Sequence, residues 1–103
     1  HLFCGHNCIS EIDVSSNTKL QKFQCNDNQI KVIDVSNNSE LDQFFCSDNQ
    51  LTSLDVSHNS LLNWLLCGNN QITSLDLSQN TELSKLACDA NVTVIGRENT
   101  KLD

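Results

Sequence analysis

The side chains of this 103-residue chain best suited to chemistry are its six cysteines, three histidines and thirteen carboxylates. Cys4, Cys25, Cys46, Cys67 and Cys88 recur every 21 residues, and Cys8 stands apart. A thiolate can attack, bridge or hold a metal, and His1, Cys4, His6 and Cys8 make an HxxCxHxC segment with the look of a zinc-ligand set. The column lacks the close CxxC pairing that structural zinc favours, and in the repeat frame Cys4 points inward while His6 holds a turn place equivalent to Asp27 and Asp48, so the segment is not expected to converge and no metal is assigned. Asp13, Asp34, Asp55 and Asp76 form a second column, each followed two positions later by Ser15, Ser36, Ser57 or Ser78. Stacked carboxylates repel, so each needs a backbone N–H, its serine, water or a cation such as calcium. The local hydrogen bond is favoured, because Asp before a turn commonly accepts from backbone donors. Two carboxylates can also cleave a glycoside, but only where unlike environments split their pKa values, and a column of identical residues supplies none. There is no GxSxG, P-loop or HExxH motif, so no catalytic residue and no cofactor is assigned, and the chain reads as a non-enzyme.

The elements that place these columns are repeats. With the five cysteines aligned, Asn7, Asn28, Asn49, Asn70 and Asn91 fall into register, as do Ile9, Ile30, Leu51 and Ile72. The second half of each unit reads IDVSSN, IDVSNN, LDVSHN and LDLSQN, starting at residues 12, 33, 54 and 75. Self-similarity at a fixed period marks a solenoid. Each unit also repeats within itself: Leu20, Phe23, Cys25 and Asn28 have the spacing of Ile30, Ile33, Val35 and Asn38. Phe23 with Cys25, and Ile33 with Val35, are pairs at period two, which suits short strands with alternate residues inward. No segment carries a helical stripe. Parallel strands are expected on one side of each coil, short strands or extended turns on the other, and little or no α-helix. Asparagine closes each half because its amide can both donate to and accept from the backbone of a bend, so the columns Asn7 to Asn91 and Asn17 to Asn80 are expected to be structural. Cysteine holds an inward place and acts as a small buried hydrophobe. Cys8, aligned with Gln29, Gln50 and Gln71, is expected to be more exposed.

The unit L-x-x-L-x-C-x-x-N-x-L-x-x-L-D-V-S-x-N-x-x, matched throughout by residues 20–40, 41–61 and 62–82, resembles the leucine-rich repeat family, in its short 21-residue bacterial class with nested halves. The resemblance implies a right-handed coil with a parallel β-sheet lining the concave side, a mostly β fold, and a secreted or bacterial cell-surface protein. The whole chain, 1–103, is expected to be one domain: a partial unit at 1–19, the three full units, and a degenerate unit at 83–103. With no cap ahead of His1 it is expected to be part of a longer array. At the other end Val92 comes one residue early, Gly96 and Arg97 stand in place of an Asp-Val pair, and Asn99 is displaced, as in a cap or a decayed repeat. Asn37 and Asn91 match the glycosylation acceptor pattern, the second at a position expected to lie in a buried ladder.

The net charge of −7, with only six basic residues, excludes nucleic acid and anionic membrane as partners, and no run of apolar residues is long enough to span a bilayer. Identical columns fix a scaffold, so recognition should lie where units differ on the outward strand side. There the columns run His1, Lys22, Gln43, Trp64, Lys85, then Phe3, Gln24, Phe45, Leu66, Ala87, then Gly5, Asn26, Ser47, Gly68, Asp89. Phe45, Trp64 and Leu66 form an apolar cluster expected to meet solvent, ringed by Lys22, Gln24, Gln43 and Lys85. Such a patch suits a protein partner, and the net charge of −7 leads to the expectation of a basic or neutral partner surface. It also suits a glycan, stacked on Trp64 and hydrogen-bonded by neighbouring amides. Self-association through this patch or through open solenoid ends is a third use. A spacer or display stalk, needing no ligand, remains the structural alternative.

Overall fold

The computed structural model describes residues 1–96. Within them the chain winds as a solenoid of short strands and turns without a helix: β1 (Leu2–Phe3), β2 (Lys22–Gln24), β3 (Gln43–Phe45), β4 (Trp64–Leu66), β5 (Ser74–Asp76), β6 (Lys85–Ala87) and β7 (Thr93–Ile95). Strands β1, β2, β3, β4 and β6 make one parallel sheet in that order. Its register is the 21-residue repeat itself: Lys22, Gln43, Trp64 and Lys85 are successive partners, as are Phe23, Phe44, Leu65 and Leu86. A one-residue slip would turn the second row outward and lose the core, so burial pins the register.

The core is a set of stacked rows. Phe23, Phe44, Leu65 and Leu86 form one, and the rings of Phe23 and Phe44 lie parallel 5.5 Å apart. Cys25, Cys46 and Cys67 form another, fully buried, with Cys4 and Cys88 partly buried at its ends. Val14, Val35, Val56 and Leu77 line the opposite side. All six cysteines are free, and Cys8 is exposed as its alignment with glutamines predicts.

Between strand and first ladder asparagine, each of the first four coils passes through one left-handed residue: His6, Asp27, Asp48 and Asn69 have φ between 52° and 59°. Short polar side chains tolerate this region best among non-glycine residues. They also bond along the column: His6 Nδ1 lies 3.0 Å from Asp27 Oδ2, and Asn69 Nδ2 donates to Asp48 Oδ1 at 2.7 Å.

Among the described residues the second side forms regular strands only where β5 pairs with β7. There Leu75 pairs with Val94, nineteen positions on, whereas the main sheet keeps a 21-residue offset up to β6. The shortening is two residues, rather than the single step suggested by the early Val92, and is taken up in the turn that closes with Val92 N–H donating to Asp89 O at 3.2 Å. It brings the backbones close enough that Gly96, at φ 86°, lies against Ser78, where a Cβ would meet the Ser78 Cα at 2.6 Å. Asn91 is exposed, not in a buried ladder, because the shortened turn swings it out of the column. Arg97 and Asn99, also expected to break the pattern, lie outside the described residues.

Candidate functional site

The outward residues of the five-stranded sheet stand where the sequence columns place them. Lys22, Gln24, Gln43, Trp64 and Leu66 are partly exposed and Lys85 is exposed, all on one face. Phe45 is a correction: it was expected to meet solvent, but only 9% of it is exposed. The reason is Trp64, whose ring meets that of Phe45 at 70° with centroids 4.9 Å apart. Aromatic rings favour this edge arrangement, so Phe45 is a support and Trp64 with Leu66 is the apolar surface. On the other flank Lys85 Nζ sits over the Trp64 ring, 4.4 Å from its centroid, in a cation–π contact. Next to Leu66 the face falls away: its partner is Ala87, and at Gly68 an added Cβ would touch only Asp89 Oδ1, at 3.8 Å. The result is a ledge of indole and ammonium above a shallow apolar step.

Two asparagine ladders hold that face in shape. In the first, Asn49 donates from Nδ2 to Cys25 O (3.0 Å), Cys46 O (3.1 Å) and Ser47 O (3.2 Å), while its Oδ1 accepts from Ile30 N–H (3.1 Å). Asn28 and Asn70 repeat the scheme one coil to either side. In the second, Asn59 donates to Val35 O (3.0 Å) and Asn38 O (2.9 Å), and Asn38 does the same to Val14 O and Asn17 O. At the last coil Asp89 takes over: its carboxylate accepts from Asn69 N–H (2.9 Å) and Asn70 N–H (3.3 Å). Sequence reasoning assigned this work to Asn91 and missed Asp89. The signal was available, since Asp89 is the only carboxylate in a column of Gly5, Asn26, Ser47 and Gly68.

The aspartate column of the opposite side is closed on itself. The N–H groups of Ser15, Ser36, Ser57 and Ser78 donate to Oδ1 of Asp13, Asp34, Asp55 and Asp76 at 2.9–3.0 Å. These bonds hold all four carboxyls below the ordinary range, the serine hydroxyl contributing most at Asp13, Asp34 and Asp55 and the backbone N–H most at Asp76. His1, Cys4, His6 and Cys8 do not converge, since His6 is paired with Asp27. Among the described residues no group of three or more His, Cys, Asp or Glu is gathered as a metal would require.

No protein-family model matches the chain, and no curated protein does. Solved structures do. The functional domain of InlJ from Listeria monocytogenes, described as including a cysteine ladder, superposes with a TM-score of 0.83 at 33% identity over 99% of this chain. The chain has the leucine-rich repeat fold. An internalin (inlF) from Listeria monocytogenes superposes with a TM-score of 0.78 over 96% of the chain at 22% identity, a likeness of fold alone. This leucine-rich repeat chain spans 26% of the first of those chains and 32% of the second. A cysteine row runs through its own core as well, and burial governs its chemistry. Loss of solvation pushes the Cys25 and Cys67 thiols up to about 12, with neighbouring thiols adding to it, and pushes Cys46 well above its ordinary value. Thiols held neutral in this way pack as hydrophobes and do not react.

Among the described residues no helix is long and apolar enough to cross a membrane.

Proposed function

We propose that this leucine-rich repeat segment is a non-enzymatic protein-recognition module, secreted or displayed on a bacterial surface as part of a longer array, and that it binds through the strand face around Trp64 and Leu66. The observation that carries the reading is the preformed ledge. Trp64 is fixed by Phe45 on one flank and by Lys85 on the other, in a molecule whose remaining large side chains are mostly packed inward. An aromatic anchor whose conformation is set before binding loses little entropy on contact, which is the property of an interface hot spot. The likeness to internalins supports the class of module. A glycan is the weaker occupant, because a sugar stacks on an open ring face and Lys85 already covers one face of this indole.

The test is a side-by-side screen of the chain and its Trp64→Ala/Leu66→Ala variant against displayed protein fragments and a glycan array. Both side chains are partly exposed, so the variant should fold, with a lowered melting temperature because Phe45 loses its cover, while losing its protein binders. Binders that ignore the double substitution, or hits confined to glycans, would refute the assignment.

A further inference from the structure

Resting on that reading of the strand face, we propose that the partner presents a carboxylate to Lys85 beside an apolar side chain seated on Leu66. Three observations point to this chemistry. First, acidic residues outnumber basic ones by 13 to 6 in this chain, yet among the described residues neither Lys22 nor Lys85 has a carboxylate within ion-pair distance. Both lie in the single column Lys22, Gln43, Trp64, Lys85. Second, Lys85 is exposed but not loose: its ammonium rests over the Trp64 ring at 4.4 Å, so much of the freedom a lysine loses on pairing is already gone. The ring occupies one side of the ammonium, and its N–H donors on the other side face outward. Third, Leu66 is partly exposed and its neighbours Ala87 and Gly68 are small, so apolar surface lies beside that cation.

Charge also orients the partner. Cations stand at the beginnings of β2 and β6, at Lys22 and Lys85, with Asp42 directly before β3, and three carboxylates stand just past the strand ends, at Asp27, Asp48 and Asp89. An acidic group is attracted to the first edge and repelled from the second. Lys85 and Ala87 are two residues apart along β6, which places the recognised carboxylate roughly 7 Å from the apolar anchor. That spacing fits side chains two apart on an extended segment. Two lysines in a chain of net charge −7 are too few to hold a polyphosphate backbone, which favours a single carboxylate as the acidic group.

The experiment is selection of a random peptide library displayed on phage against the wild-type chain, followed by binding of the enriched peptides to Trp64→Ala, Lys85→Gln and Lys85→Glu. Lys85 is exposed, and the Lys85 variants should fold as the parent does, with melting as the control. Peptides that require Trp64 should carry Asp or Glu beside a large apolar residue. They should weaken about tenfold on Lys85→Gln, further on Lys85→Glu, and lose affinity as salt rises. Trp64-dependent peptides without acidic residues, or indifferent to Lys85→Gln, overturn the carboxylate inference and leave the face reading intact. Peptides indifferent to Trp64→Ala overturn the face reading itself. Perturbation of Trp64 fluorescence by sialyllactose and by no acidic peptide would transfer the carboxylate to a glycan and overturn the protein partner.

Discussion

Asn49 and Asn59 are both buried ladder asparagines, and removal of their side chains should have unequal consequences. By burial alone Asn59, at 0% exposed, should matter at least as much as Asn49, at 8%. The hydrogen bonds predict the reverse. In Asn49→Ala the buried Ile30 N–H loses its acceptor, and an orphaned buried donor costs about 1–3 kcal/mol. Cys25 O, Cys46 O and Ser47 O each lose one donor and keep one, from Asn28, Asn70 and the Asp27 N–H respectively, for about 1 kcal/mol apiece. The sum is about 4–6 kcal/mol. In Asn59→Ala the acceptors lose a second donor only: Val35 O retains Asn38 N–H at 3.1 Å and Asn38 O retains Leu41 N–H at 3.1 Å. The substitution also removes an Oδ1 that is buried without an acceptor role, which offsets part of the loss. The expected cost is about 1–2 kcal/mol. Urea unfolding followed by Trp64 fluorescence and by circular dichroism measures both, with equal slopes required for comparison. Equal destabilisation, or a larger effect at Asn59, would show that burial and not donor accounting controls these ladders.

Two further outcomes follow from the core and the last coil. Burial raises the cysteine pKa values above the unfolded value of 9.0, to about 12 at Cys25 and Cys67, so their stabilisation is complete below pH 9 and is lost as pH rises from 9 toward 12. In that window each such thiol should cost about 1.4 kcal/mol per pH unit, the urea midpoint should fall steeply between pH 9 and 10, and Cys67→Ala should make the fall shallower; a flat midpoint would contradict neutral buried thiols, and with no tyrosine in the chain no phenol confuses the titration. Gly96→Ala should free the last pair of strands, because the added methyl meets Ser78 Cα at a φ of 86°, and the amide of Leu77, which donates to Ile95 O at 2.8 Å, should exchange with solvent at least tenfold faster while Leu65 keeps its protection.

The parallel sheet and its register were legible because each is enforced by burial, and burial leaves a period in the sequence. Phe23, Phe44, Leu65 and Leu86 could not be outward at any register that keeps Cys25, Cys46 and Cys67 inward, so one alignment fixed both rows. The outward columns then followed, and Lys22, Gln24, Gln43, Trp64, Leu66 and Lys85 stand as those columns require. Burial of Phe45 was not legible. It depends on the side-chain angle by which Trp64 of the next coil leans across it, and no spacing rule encodes that angle. The left-handed column His6, Asp27, Asp48 and Asn69 was legible in principle, since all four are residues that tolerate positive φ, but the repeat frame showed it only as a turn place. The last coil misled for a different reason. Counting one displaced apolar residue located the break but could not show that two residues are missing, because the turn from Asp89 to Val92 absorbs the loss out of sight of the core.

The same contrast separates scaffold from face. A ladder residue is dictated by the neighbouring coils: Asn49 serves Ile30, Cys25 and Cys46, so a change of type in any one unit leaves donors or acceptors stranded in two others. An outward strand residue has no such obligation, and the column Lys22, Gln43, Trp64, Lys85 varies freely in size and charge. Asp89 is the exception that belongs to both. It sits in the outward column at the edge of the sheet, yet its carboxylate supplies the acceptors that Asn69 and Asn70 need. Its carboxylate is therefore held in place by the fold, and it lies beside the step under Leu66. On the proposed reading a partner's acidic group approaches that step from the Lys85 side, away from Asp89, so the last described coil sets the polarity of the face.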